Sequence, residues 1–137
     1  MDELPRGIRN HNPGNIRRSA DKWQGLIVYD PDFCQFFTPE YGIRAMARIL
    51  LNYEKLYKLH TIDEIIVRWA PPEDGNTTAI YCDYVARKMG VGRNEVINVK
   101  NHLVGLIKAI IEFENGSQPY DCETLTMGIA MALGEDH

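Results

Sequence analysis

The sequence predicts an α+β fold that is mainly α, a helical domain carrying one small β-hairpin lobe. Three observations lead there. Apolar residues recur at three- and four-residue spacing in five stretches after residue 38. Aromatic and β-branched residues crowd residues 22–37, between turn-forming sequences. Residues 5–19 hold two Gly, two Pro and three Asn, which favour turns over helix.

The N-terminal stretch, Pro5 to Ser19, is expected to be an ordered loop. Its four arginines give it a local positive charge within a chain of net charge -4. The next segment carries Trp23, Ile27, Val28, Tyr29, Phe33, Phe36 and Phe37 around Gln24-Gly25 and Asp30-Pro31-Asp32. A two-stranded hairpin fits, with Pro31 at a turn position whose φ is already set.

Thr38-Pro39-Glu40 reads as a helix start, with Thr as N-cap, Pro in the first turn and an acid facing the positive end of the dipole. Ile43, Met46, Ala47, Leu50, Tyr53 and Tyr57 then form the strongest stripe, predicting a central helix to about Lys58. Thr61 and Glu64 form a capping box for a short helix that Pro71-Pro72 stops after Trp69. Asn76 or Thr77 caps a third, ending at Gly90. Asn94 is expected to cap a fourth, with Val96, Val99, Leu103, Leu106, Ile107 and Ile110 as its stripe and Asn115-Gly116 as its end. A last helix from about Asp121 carries Leu125, Ile129, Ala132 and Leu133.

Bulk properties narrow the functional classes. With 137 residues, 45% hydrophobic and 25% charged, the chain is read as one domain over 1–137 with residues 1–5 as a flexible N-terminus. No run approaches the roughly 20 apolar residues of a membrane span, so no membrane insertion is expected. The acidic balance argues against nucleic acid as partner. Cys34, Cys82 and Cys122 are odd in number and lack zinc-ligand spacing. All three are expected to be reduced, with no metal and no cofactor.

The segment Arg6-Gly7-Ile8-Arg9-Asn10-His11-Asn12-Pro13-Gly14-Asn15-Ile16-Arg17, followed by Trp23-Gln24-Gly25, resembles the opening of the phage and prophage virion structural protein P5-like family, within the wider lysozyme-like group. The likeness continues through Phe36-Phe37-Thr38-Pro39-Glu40-Tyr41-Gly42-Ile43-Arg44-Ala45, Arg68-Trp69-Ala70-Pro71-Pro72, Asn76-Thr77-Thr78, Tyr81 and Val85. The resemblance implies a lysozyme-like fold and a peptidoglycan-degrading glycosidase, muramidase or lytic transglycosylase, associated with a phage virion or with lysis. Its partners would be the bacterial glycan strand and other virion proteins. With no apolar leader at its N-terminus, the protein is expected to be made in the host bacterial cytoplasm and delivered by other means. The other reading is a non-catalytic virion or host-interaction protein that keeps the fold.

Two departures stand out. Glucosaminidase-type wall hydrolases, which share the order of features, carry their catalytic Glu on a helix ending upstream of the Asn-rich loop, and this chain has only Glu3 there. In Glu73-Asp74-Gly75-Asn76, Gly75 occupies the place where the family has an acid directly before the Asn.

Glycosidic cleavage needs a protonated carboxylic acid and, in hydrolases, a second carboxylate. Glu40, beside the β-lobe, is the candidate acid, although a helix start also explains it and lowers a carboxyl pKa. Asp30 and Asp32 are candidates for the second carboxylate, and turn formation alone also accounts for them. Arg9, Asn10, Asn12 and Asn15 are expected to converge on a sugar-binding groove whose other wall is the β-lobe, with Trp23 stacking on a sugar ring. Trp69 and His11 are lesser candidates, each also accommodated by a structural role.

Overall fold

The structure, a computed structural model, describes residues 4–72 and 77–134. Glu3, Glu73, Asp74, Gly75 and Asn76, and the capping role read for Asn76, lie outside them. The element order is α1 (Arg6–Arg9), β1 (Leu26–Ile27), β2 (Gln35–Phe36), α2 (Pro39–Tyr57), α3 (Ile62–Trp69), α4 (Thr78–Met89), a 3-10 turn (Lys100–His102), α5 (Leu103–Asn115) and α6 (Cys122–Gly134). The protein is mainly α with a small antiparallel hairpin, the class expected from its sequence.

The N-terminal stretch departs from a pure loop. Pro5 fits the position before a first helical turn, and Arg9 N and Asn10 N close that turn on Pro5 O and Arg6 O, both at 3.0 Å. Beyond it the hairpin pairs Leu26 with Phe36 and Ile27 with Gln35, and an isolated bridge ties Arg17 to Phe33. Asp30 forms the turn as its composition suggests, its Oδ1 accepting from Asp32 N at 2.9 Å and Phe33 N at 3.0 Å.

Helix α2 is the central element, packed most extensively on α6 and also on α5. Ile43, Met46, Ala47 and Leu50 are fully buried, each large member contributing roughly 1.5–3 kcal/mol by leaving water. Tyr57 leaves that stripe: it is exposed, and the Arg68 guanidinium lies 3.8 Å from its ring centre. Two glycines let the chain approach α2 closely. A Cβ on Gly42 would fall 2.0 Å from His11 O, and one on Gly128 would fall 2.7 Å from Ile43 Cβ. The first α2 turns are thereby clasped between the N-terminal loop and α6.

The caps are partly as expected. Thr61 and Glu64 form the reciprocal capping box. Thr38 is extended as an N-cap should be, yet its hydroxyl makes no capping bond, so Pro39 and Glu40 set that start. Thr77 likewise makes no capping bond, and Gly90 ends α4 in the left-handed conformation.

The fourth predicted helix begins eight residues late, at Leu103 rather than directly after Asn94. Residues 96–98 belong to no helix, and burial alternates from there into the 3-10 turn: Val96 and Asn98 are exposed while Ile97 and Val99 are buried, a period of two. Ile97 N donates to His60 O and Val99 N to Glu54 Oε2, both at 2.8 Å, so this segment is held by α2 and by the α2–α3 connection. Asn98 stands before the 3-10 turn that leads into α5, its Oδ1 accepting from Asn101 N at 3.0 Å. At the last helix Asp121 Oδ1 accepts likewise from Thr124 N. Among the described residues no helix is long and apolar enough to cross a membrane, and no group of three or more His, Cys, Asp or Glu is arranged to hold a metal ion. Cys34, Cys82 and Cys122 are free thiols.

Candidate functional site

A cleft of about 420 Å³ opens where four parts of the fold meet. The loop Gly14–Arg17 and Phe33 of the hairpin form one side, and Ile49 and Tyr53 of α2 form the floor. Trp69, Ala70 and Pro71 close another side, and Glu114 enters from the end of α5. Its volume suits a small ligand or a sugar residue.

Each wall follows from local chemistry. Pro71 and Pro72 prevent α3 from continuing, which leaves Trp69 in its last turn with its ring edge-on to Tyr53, centres 6.5 Å apart. Gly14 rests against both Met46 and Trp69, where a Cβ would stand 2.9 Å from either side chain. Asn15 follows with φ of 52°, a left-handed conformation that Asn tolerates better than most residues.

Glu114 is half-buried in the last turn of α5. Its Oε1 accepts from Asn15 Nδ2 and its Oε2 from the Tyr81 hydroxyl, both at 2.8 Å. Tyr81 is 2% exposed and stacks on Phe113, ring centres 3.9 Å apart. Burial and the neighbouring Glu114 push its hydroxyl far above the ordinary tyrosine range, with Trp69 opposing in small part. Tyr81 is therefore a standing hydrogen-bond donor. Next to Glu114, the buried Asn115 amide donates to Pro13 O at 2.8 Å, anchoring the end of α5 to the N-terminal loop. Among the described lining residues Glu114 is the one carboxylate and Arg17 the one cation.

Of the residues singled out from sequence, Asn15 and Trp69 line the cleft and the others are placed otherwise. Asn12 is fully buried: Nδ2 donates to Ile16 O at 3.0 Å and Cys34 O at 2.9 Å, while Oδ1 accepts from Ile16 N. Asn10 is 8% exposed and donates to Asp30 Oδ2. Arg9 is exposed and turns back to Leu4 O. The expected convergence of Arg9, Asn10, Asn12 and Asn15 on one groove is thus corrected, because a Gly- and Asn-rich loop uses its amides to satisfy its own backbone and that of the hairpin.

The carboxylates differ as well. Asp30 receives Arg6 through two nitrogens, at 2.8 and 2.5 Å, together with Asn10 and two backbone N–H groups. The Arg6 guanidinium is the main reason its carboxyl lies well below the usual range, so it stays an anion and cannot supply a proton. Asp32 is exposed and lies 3.3 Å from the same Arg6. Glu40 sits in the first turn of α2, away from the cleft, where its charge adds to burial in pushing the Tyr120 hydroxyl up to about 12. Trp23 packs with Cys34, Phe36, Ala45 and Tyr41 in a small second core beneath the hairpin, its indole N–H buried without a partner among the described residues.

Glu114 escaped the sequence reading. A signal was present: an acid in the last turn of a helix faces the negative end of the dipole, an unfavourable site that helix formation does not explain. Its partner Asn15 lies 99 residues away, a distance that no periodicity spans.

No protein-family model matches the chain. It is 43% identical over 133 residues to Protein P5 of Pseudoalteromonas phage PM2, an alignment covering 93% of this chain and 82% of that protein. The ordered likeness from Arg6 to Val85 accordingly has a specific counterpart, and the chain belongs to the family of phage PM2 Protein P5.

Proposed function

We propose that this protein is a peptidoglycan-active glycosidase of lysozyme-like type, associated with a phage virion or with lysis, and that Glu114 is its acid. The observation that carries the reading is the Glu114 carboxylate in a cleft flanked by Trp69, Tyr53 and Phe33 and oriented by Asn15 and Tyr81. Aromatic faces suit the apolar faces of sugar rings, and an amide suits hydroxyl and N-acetyl groups. Glu114 also answers the first departure noted above. The expected acid stands on a helix leading into the Asn-rich loop; here α5 meets that loop in space, through Asn115 and Pro13, although it comes after it in the chain.

One carboxylate favours lytic transglycosylation over hydrolysis. The acid protonates the glycosidic oxygen as the bond to the anomeric carbon breaks. A hydroxyl of the same sugar then attacks that carbon and returns its proton to the carboxylate. No second carboxylate and no water are consumed.

The test is clearing of outer-membrane-stripped cells by purified protein, with mass spectrometry of the products. Glu114→Gln should lower the rate about 10²–10⁴-fold, and the products of the parent should be lighter by one water than hydrolysed fragments. Absence of clearing by the parent removes the reading. The second reading, a glycan-binding virion protein without catalysis, is favoured by one observation: both oxygens of Glu114 already have partners. Sedimentation with purified walls in the absence of clearing would select it.

A further inference from the structure

Of the four arginines near the N-terminus, three are directed onto the protein itself. Arg6 is paired with Asp30, Arg9 donates to Leu4 O, and Arg18 donates to Asp30 O at 3.2 Å. Arg17 differs from them. It lines the cleft, its guanidinium lies 5.1 Å from the Phe33 ring centre, and among the described residues it has no carboxylate partner. The position is built. The Arg17 backbone is bridged to Phe33, and Cys34 N donates to Ile16 O beside it at 2.9 Å. The Phe33 ring carries Arg6 as well, at 4.7 Å, but the charge of Arg6 is neutralised by Asp30. Arg17 is therefore a guanidinium held on an aromatic face of the cleft and, among the described residues, in no ion pair with Glu114 or any other carboxylate.

We infer that Arg17 is a specificity residue that binds a carboxylate carried on the glycan, so that the preferred substrate is a strand with acidic substituents rather than a neutral amino-sugar polymer. This rests on the glycan reading of the cleft and names the substrate class within it. In wall glycan the carboxylate has two sources. It belongs to the stem peptide where one is attached, and to the lactyl group where the peptide has been removed. A guanidinium recognises either through paired N–H donors.

The experiment is calorimetric titration of the full chain and of Arg17→Met and Arg17→Lys with three probes: peptide-bearing strands, strands stripped by an amidase, and N-acetylglucosamine oligomers. The parent should bind one or both anionic probes at least about tenfold more tightly than the neutral oligomer. Arg17→Met should erase that ratio with neutral affinity and melting temperature unchanged, and Arg17→Lys should keep part of it. Preference for the peptide-bearing strand assigns the peptide carboxylate, and preference for the stripped strand the lactyl group. An unaltered ratio in Arg17→Met, an equal loss on all three probes, or no binding by the parent overturns the inference. Charge-dependent binding without clearing removes only the glycosidase reading.

Discussion

The Tyr81 hydroxyl donates to Glu114 Oε2 at 2.8 Å from a position that is 2% exposed. Because the ring is fixed by stacking on Phe113, the hydroxyl has little freedom to turn elsewhere. Tyr81→Phe keeps that stack and removes the donor. It should cost about 1.5–3 kcal/mol by urea denaturation, the usual loss for a hydrogen bond to a charged group. Clearing activity should fall at least about tenfold if Glu114 is the acid. In a double-mutant cycle with Glu114→Gln the two changes should couple by about 1 kcal/mol. Strict additivity would show that the contact does no energetic work.

Asn12 is scaffolding, and its removal should show it. Replacing it with Ala leaves Ile16 N, Ile16 O and Cys34 O without their side-chain partner in a fully buried site. A loss of roughly 3 kcal/mol or more is expected, read as a lower urea midpoint at unchanged m-value. A variant with parental stability and weakened glycan binding would return Asn12 to the binding residues.

Which features were legible in the sequence follows from how far each one reaches. The Thr61–Glu64 capping box, the α2 stripe and the Asp30 turn are complete within a few residues, and the structure contains all three. The start of α5 was not legible, since Asn94 and Asn98 can both stand before a helical start and only the anchoring of Ile97 and Val99 by His60 and Glu54 decides between them. In the N-terminal loop, composition reveals the hydrogen-bonding capacity of Asn10, Asn12 and Asn15 but not its direction. Burial turns the first two inward and leaves Asn15 at the cleft. Glu114 joins it only because the end of α5 docks on that loop.

Asp30 should make stability depend on acid in a defined window. Its folded pKa is depressed, chiefly by Arg6. Its stabilising contribution is therefore fully present above the unfolded value of about 4 and is lost as pH falls from there toward the folded value. Asp30→Asn keeps an acceptor for the turn but gives up the ion pair. Melting temperatures of parent and variant, measured from pH 7 downward, should differ by a constant amount to about pH 5 and converge below about pH 4. A gap that persists unchanged to pH 2 would locate the stabilisation in hydrogen-bond shape rather than charge.

Gly128 and Gly105 provide opposite outcomes from the same substitution. Replacing a helical glycine with Ala gains up to about 0.8–1 kcal/mol of helix propensity wherever the methyl group fits, the full amount applying to the helix interior. At Gly105 in α5 it fits, since the nearest atom to an added Cβ is Met89 Cγ at 3.8 Å. At Gly128 in α6 the added Cβ would meet Ile43 Cβ and Cγ2 at 2.7 Å and Glu40 O at 2.9 Å. Ile43 is fully buried and Glu40 O belongs to the α2 backbone, so neither can yield without moving the two helices apart. Gly105→Ala should stabilise the protein by up to about 1 kcal/mol. Gly128→Ala should destabilise it by about 1–3 kcal/mol, the cost of overpacking exceeding the gain in propensity. Calorimetric melting of both variants decides the matter. If Gly128→Ala melts above the parent, α2 and α6 are not in the close contact that clasps the start of α2, and the position of α2 against the N-terminal loop must be held by Gly42 alone.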